Sequence, residues 1–200
     1  MSNGVVISAA VEGLLDEAAV RKLITHVGAT PGDVHGRQGK TFLRQRIAGY
    51  NHAARHAPWI VLVDLDRTAD CAPPLRAAWI PAPSAQLCFR VAVRKVEAWL
   101  LADRERLAEF LSVARSRLPH DPEQLDDPKV EMVNVARGSH RRAVRDDMVP
   151  RPEGGRAVGP AYSSQLIEFI TSHWRPAQAA ECSDSLRRAI ACLRRLAAAV

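Results

Sequence analysis

Apolar and polar positions alternate between two periods along the first 118 residues, and only the helical period persists beyond them. The run "GVVISAAVEG" is β-branched, short and closed by Glu12 and Gly13, which predicts a buried strand. "LLDEAAVRKLITHVG" then places Leu15, Ala19, Leu23 and Ile24 on one face, with its acids early and Gly28 as a stop, the pattern of an amphipathic helix. "ATPGDVHGRQGK" is turn-rich, with a short strand expected around Asp33 to His35, and a helix follows from about Thr41 to His56. "WIVLVD" is the clearest strand in the chain. A loop with Pro73 and Pro74 leads to a short helix near Leu75 to Trp79, "QLCFRVAV" is a further strand, and "RKVEAWLLADRERLAEFL" is helical in two pieces broken near Asp103.

After Pro119 the polar, proline-marked "LPHDPEQLDDP" reads as a linker, and everything downstream as helix or loop. "PKVEMVNVARG" opens on a proline suited to a first helical turn. "GPAYSSQLIEFITSHW" is a second helix, stopped by Pro176. In the last, "SDSLRRAIACLRRLAAAV", Leu186, Ile190, Leu193 and Ala197 line one face and arginines the other. This order predicts an α/β domain over residues 1–118, with a small, mainly parallel sheet flanked by helices. An α-helical extension over 119–200 is packed on it or continuous with it.

Composition adds little to that picture. The chain has 200 residues, 47% of them apolar, which suffices for one core. The net charge of +6 permits contact with a polyanion, although the basic residues are nearly all arginine, with Lys22, Lys40, Lys95 and Lys129 the four lysines, a usage that a GC-rich genome would also produce. Cys71, Cys88, Cys182 and Cys192 form no CxxC pair and no metal-ligand spacing; with no signal-like N-terminus, reduced thiols in a cytoplasmic protein are expected. No segment approaches the ~20 apolar residues that a membrane span requires.

The candidate chemistry lies at the strand ends. In parallel α/β sheets ligands gather at the carboxyl ends of strands. Glu12, Asp64 and Asp66 directly follow predicted strands, so they are expected on one rim. Carboxylates packed there raise each other's pKa unless a cation lies between them. Mg²⁺ or Mn²⁺ suits all-oxygen ligands and commonly shares its shell with a substrate phosphate, which points to phosphoryl or phosphodiester chemistry. The bland alternative is that these acids cap helices on a solvated edge.

A strand ending in Glu-Gly ("AAVEG") followed by helices and a strand ending in DxD ("VLVDLD") resembles the Toprim fold of topoisomerases, primases and several small nucleases. "VRKVEAWLLAD", with Glu97, Trp99 and Asp103, and the later "GPAYSSQLIEFI" are similar to a bacterial Toprim-like group, domain of unknown function 4276. The resemblance spans Glu12 to the last helix. It implies Glu12 as metal ligand or general acid/base, Asp64 and Asp66 as ligands of Mg²⁺ or Mn²⁺, and Glu97 as a further carboxylate near the site. It also implies a nucleic-acid substrate, with links to anti-phage defence or to an ATPase partner. Many Toprim domains carry a glycine after DxD; here Arg67 follows, a candidate phosphate contact.

Other motifs compete. "VLVDLDRT" also resembles the haloacid-dehalogenase motif DxDxT, in which Asp64 would be the nucleophile and Asp66 the acid/base. That motif normally opens its domain, the later pair Asp146 and Asp147 does not follow an apolar strand, and Glu12 would be left without a task. "GRQGKT" has Val34 where a phosphate-binding P-loop needs glycine, so only Lys40 is retained as a candidate phosphate contact. His52 and His56 share a helix face without a third ligand, the pattern of surface histidines. Glu97 fits a first-turn helix acid equally well, Tyr162 a buried anchor, and the arginines of "SHRRAVRDD" and "SLRRAIACLRR" a solvated face as readily as a phosphate track. A non-catalytic Toprim-like subunit working with an ATPase is the non-enzyme alternative.

Overall fold

The computed structural model describes residues 4–66, 71–151, 153 and 155–198. Strands β1 (Val6–Val11), β2 (Thr30–Gly36), β3 (Trp59–Asp64) and β4 (Leu87–Ala92) form one sheet in the order β2-β1-β3-β4. All three neighbouring pairs are parallel. Parallel neighbours require crossovers, supplied by α1 (Leu14–His26), α2 (Lys40–Ala53) and α3 (Ala72–Trp79). The period of two sorts the strand residues between two cores. Ile7, Ala9 and Val11 join Ile60, Leu62, Cys88 and Ala92 beneath α1 and the later helices. Ala10, Val61, Val63, Phe89 and Val91 face Leu43 and Ile47 of α2 and Leu75 of α3. Both faces are covered, which is why β3 reads as a continuous apolar run with no polar alternation.

Helices α4 (Val96–Ala102) and α5 (Arg104–Leu111) are divided at Asp103, as the sequence predicts. Asp103 is only 2% exposed. Its carboxylate accepts the Arg175 backbone N–H at 2.9 Å and the Arg175 guanidinium at 2.6 and 3.2 Å, tying the α4–α5 break to the C-terminal part. Beyond it come α6 (Pro128–Arg137), α7 (Arg142–Met148), α8 (Tyr162–Ser172), α9 (Pro176–Ala179) and α10 (Asp184–Ala197). Asp127 caps α6 by accepting the N–H groups of Lys129 and Val130, with Pro128 in the first turn, and Ser183 caps α10 by accepting from Leu186 N–H. Two elements depart from expectation. β2 runs from Thr30 to Gly36, longer than the stretch around Asp33 to His35, and "RAVRDDM" forms α7. Among the described residues no helix is long and apolar enough to cross a membrane.

Candidate functional site

In a right-handed βα unit the helix that follows a strand starts at that strand's carboxyl end. The rim therefore collects two kinds of side chain: those at strand ends and those in the first turns of the next helices. β1 and β3 are neighbours, yet the chain leaves them in opposite directions, to β2 on one side and to β4 on the other, so the crevice between their ends is the topological switch point. Glu12 follows β1, Asp64 ends β3 and Asp66 lies two residues on. Asp16 sits in the first turn of α1, Lys40 opens α2, and Glu97 is in the first turn of α4. Arg67 lies outside the described residues.

The structure brings these groups together by hydrogen bonds as well as proximity. Glu12 Oε1 accepts the Asp64 backbone N–H at 2.9 Å, extending the β1–β3 ladder with a side chain where β1 has run out. Asp64 Oδ1 accepts the Val96 N–H at 3.1 Å, one of the orphan donors at the start of α4. Asp16 Oδ2 accepts the Gly13 N–H at 2.8 Å, the return half of a capping box. Lys40 Nζ donates to Asp64 O at 2.5 Å and pairs with Asp66 Oδ2 at 3.0 Å. Asp66 has φ +53°, a left-handed conformation that aspartate tolerates better than most residues.

Glu97 is 4% exposed and accepts the Tyr162 hydroxyl at 3.2 Å, while Lys129 Nζ stands 3.9 Å from the same oxygen and over the Tyr162 ring. Lys95 pairs with Asp127 at 3.1 Å. The C-terminal helices therefore supply Tyr162, Lys129 and Asp127 to one wall of the rim. Tyr162 is the buried anchor expected of it and, in addition, a hydrogen-bond donor to a site carboxylate. Burial and the neighbouring Glu97 hold its hydroxyl well above the ordinary tyrosine range, so it stays a donor.

The cluster carries an excess of negative charge. Burial, then Asp16, Glu97, Glu12 and Asp66 in turn, push the Asp64 carboxyl well above the usual carboxylate range. Burial, then Glu97, push Asp16 up to about 7. Burial raises Glu12 against the opposing effects of the Asp64 N–H and Lys40. In each of Glu12, Asp16, Asp64, Asp66 and Glu97 one carboxylate oxygen takes the protein contacts just described, and the other has no hydrogen-bond partner among the described residues. Among the described residues no group of three His, Cys, Asp or Glu side chains stands close enough together to hold one metal ion. The donor set is entirely oxygen, the chemistry that Mg²⁺ and Mn²⁺ select.

Asp16 is the functional candidate that motif reasoning passes over. Its signal was "VEGLLD", where α1 starts so soon after β1 that its first-turn acid must share the rim with Glu12. The competing motifs land elsewhere. Asp146 pairs with Arg142, and Asp147 accepts from Gln165. His52 and His56 are both exposed, their rings 5.8 Å apart. No family model matches the chain, and no curated protein or solved structure matches it either.

Proposed function

We infer that this α/β chain is a Toprim-like hydrolase that cleaves phosphodiester bonds in nucleic acid with Mg²⁺ or Mn²⁺. The observation that carries this is the set of five carboxylates at the topological switch point, where burial first and the neighbouring acids second push the Asp64 and Asp16 carboxyls above the usual carboxylate range. Such a cluster lowers its energy either by retaining protons or by taking up a cation. Glu12, Asp16, Asp64 and Asp66 would hold the ion, which when bound supplies Lewis-acid activation of water or of the leaving oxygen. Lys40, which donates to Asp64 O and pairs with Asp66, would exchange one of these contacts for a phosphate oxygen, and Arg67 is the second candidate for that task. Glu97, fixed by Tyr162, would serve as the further carboxylate. The net charge of +6 favours a polyanionic substrate.

The test is cleavage of plasmid, single-stranded DNA and RNA by the purified chain in EDTA, Mg²⁺ or Mn²⁺. Metal-dependent nicking that is lost in Asp64→Asn and Glu12→Gln supports the assignment. Mn²⁺ binding without cleavage by the chain alone supports the alternative of a subunit that acts with an ATPase partner, the association for which defence-linked Toprim-like groups are known. If wild type neither cleaves nor binds Mn²⁺, the metal site is wrong. A phosphoaspartate at Asp64 would replace the nuclease by the dehalogenase-type phosphatase.

A further inference from the structure

The two edges of the sheet are managed differently. β2 is blunted: Pro31 has no N–H to offer and Gly32 weakens the strand. β4 carries no proline. Its even-numbered residues face β3, since Gln86 O accepts Trp59 N–H and Ala92 O accepts Leu65 N–H. The odd-numbered residues must point to the open edge. At the two ends they find partners there, with Leu87 N–H donating to Ser84 O and Val93 N–H to Ser185 Oγ at 3.3 Å. The N–H and C=O of Phe89 and Val91, between those ends, have no such partner among the described residues.

This open segment lies along a cavity of about 520 Å³ between α3 and the start of α10, a size within the ~300–1,000 Å³ of ligand sites. One wall is apolar, formed by Pro73, Ala77 and Ile80 of α3 and its C-cap, on the side of the sheet to which Phe89 and Val91 project. The other wall carries Arg90 and Arg188. With Arg76 the lining holds three arginines against two acids, Glu123 and Asp184, so its formal charge is +1. Glu123 accepts from Ser183 and from both Ser185 N–H and Oγ, and Asp184 is paired with Arg187 and Arg188. The buried Nε of Arg90 has no hydrogen-bond partner among the described residues.

We propose that this groove binds an extended peptide of a partner protein, which adds as a fifth strand to β4 and alternates apolar with acidic side chains. A strand presents successive side chains to opposite faces. One set would meet Pro73, Ala77 and Ile80 on the α3 side and the other Arg90 and Arg188, so the alternation follows from the walls. A second copy of this chain does not fit, because its own β4 is recessed between two helices and cannot enter the groove. The occupant supplies main-chain groups to Phe89 and Val91, the recognition mode of strand addition. This surface is independent of the metal assignment and stands or falls without it.

The probe is a short synthetic peptide alternating valine and glutamate, fluorescein-labelled and titrated against the full chain. Two further versions are N-methylated on one or the other set of alternate backbone amides, and a valine–lysine peptide is the charge control. The expected result is that one methylated version loses binding and the other retains it, that the lysine peptide does not bind, and that amide exchange at Phe89 and Val91 slows on adding the parent peptide. Val91→Pro removes an edge-facing N–H and spares the ladder to β3, while Val91→Ala trims the same buried side chain and keeps the N–H; the proline variant should bind about tenfold more weakly than the alanine variant, with matching far-UV circular dichroism. Arg188→Glu, on an exposed position of α10, should weaken binding by about threefold. No binding of the parent peptide, equal binding of both methylated versions, or full binding by both Val91→Pro and Arg188→Glu overturns the proposal. So does slow exchange at Phe89 and Val91 that depends on protein concentration alone, which would make the partner a second copy.

Discussion

Asp64 combines three environments in one side chain: it ends a buried strand, it caps the next rim helix through Val96 N–H, and it faces four other acids. Asparagine keeps the acceptor for Val96 and removes the charge. Asp64→Asn is therefore expected to raise the unfolding temperature in EDTA while abolishing Mn²⁺ affinity; calorimetry and Mn²⁺ titration measure the two halves, and a variant that is less stable in EDTA would refute the repulsion. Asp16 gives the pH dependence. Its carboxyl titrates near 7 when folded and near 3.8 when unfolded, so between those values the folded state holds the extra proton. Stability is then greatest at the acid end and falls as pH rises from about 4 to about 7, by on the order of 3 kcal/mol for the coupled cluster. Chemical denaturation in EDTA at pH 5 and pH 8 should show that fall. Asp16→Asn should flatten it, and Mn²⁺ at pH 8 should restore the loss. The DxD and Glu12 were legible in the sequence because each directly follows an apolar strand. Asp16 was not, because a first-turn acid is equally well explained by the helix dipole, and only the fold shows that α1 begins over the same crevice.

At the scale of elements, legibility tracked burial. β1, β3 and β4 are buried on both faces and read directly from their apolar runs. In β2 only Val34 is buried, among a proline and two glycines, so its length could not be read. α7 buries only Val144 and Met148 in a charged stretch, too few to set a period. The joint between β2 and α2 depends on a backbone detail. Gly36 has φ +92°, and a Cβ there would stand 2.3 Å from Val11 O, next to the strand end that carries Glu12. Gly36→Ala is accordingly expected to cost at least ~2 kcal/mol, from the left-handed backbone and the clash together. It should also displace Lys40 from Asp66, since α2 starts four residues later. Urea unfolding tests the first effect, and the loss of the Lys40–Asp66 contact in a structure of the variant the second. A fully stable Gly36→Ala protein would show that the β2–α2 turn is softer than its geometry implies.

At the scale of the whole molecule, the helical extension expected beyond residue 119 packs on the sheet across the linker-like stretch. One continuous core contains Ile7, Val11, Leu62 and Cys88 from the strands together with Met132, Phe169, Ile190 and Leu193 from the C-terminal helices. Sequence pattern alone could not show this, because an amphipathic helix declares that it has an apolar face and not which surface that face covers. Polar links join the same halves, among them the pair of the buried Asp103 with Arg175, and Ser185, whose Oγ accepts from Trp99 Nε1 at 2.7 Å and from Val93 N–H. A chain ending at Leu118 would leave part of one sheet face open to water, where α1 and α4 alone remain to cover it, and Asp103 without its cation. It is expected to lack a cooperative thermal transition and to bind hydrophobic dyes, although every strand and the DxD remain. Arg175→Ala in the full chain isolates the polar part. Breaking a pair in which one member is buried and the other a third exposed should cost about 2–3 kcal/mol, less than for a fully buried pair. Because Tyr162 and Lys129 reach Glu97 from beyond the linker, the site and the C-terminal helices should melt together. Tryptophan fluorescence and Mn²⁺ release followed on one thermal ramp would coincide. Release of the ion well before the fluorescence change would mean that the rim opens while the shared core stays closed.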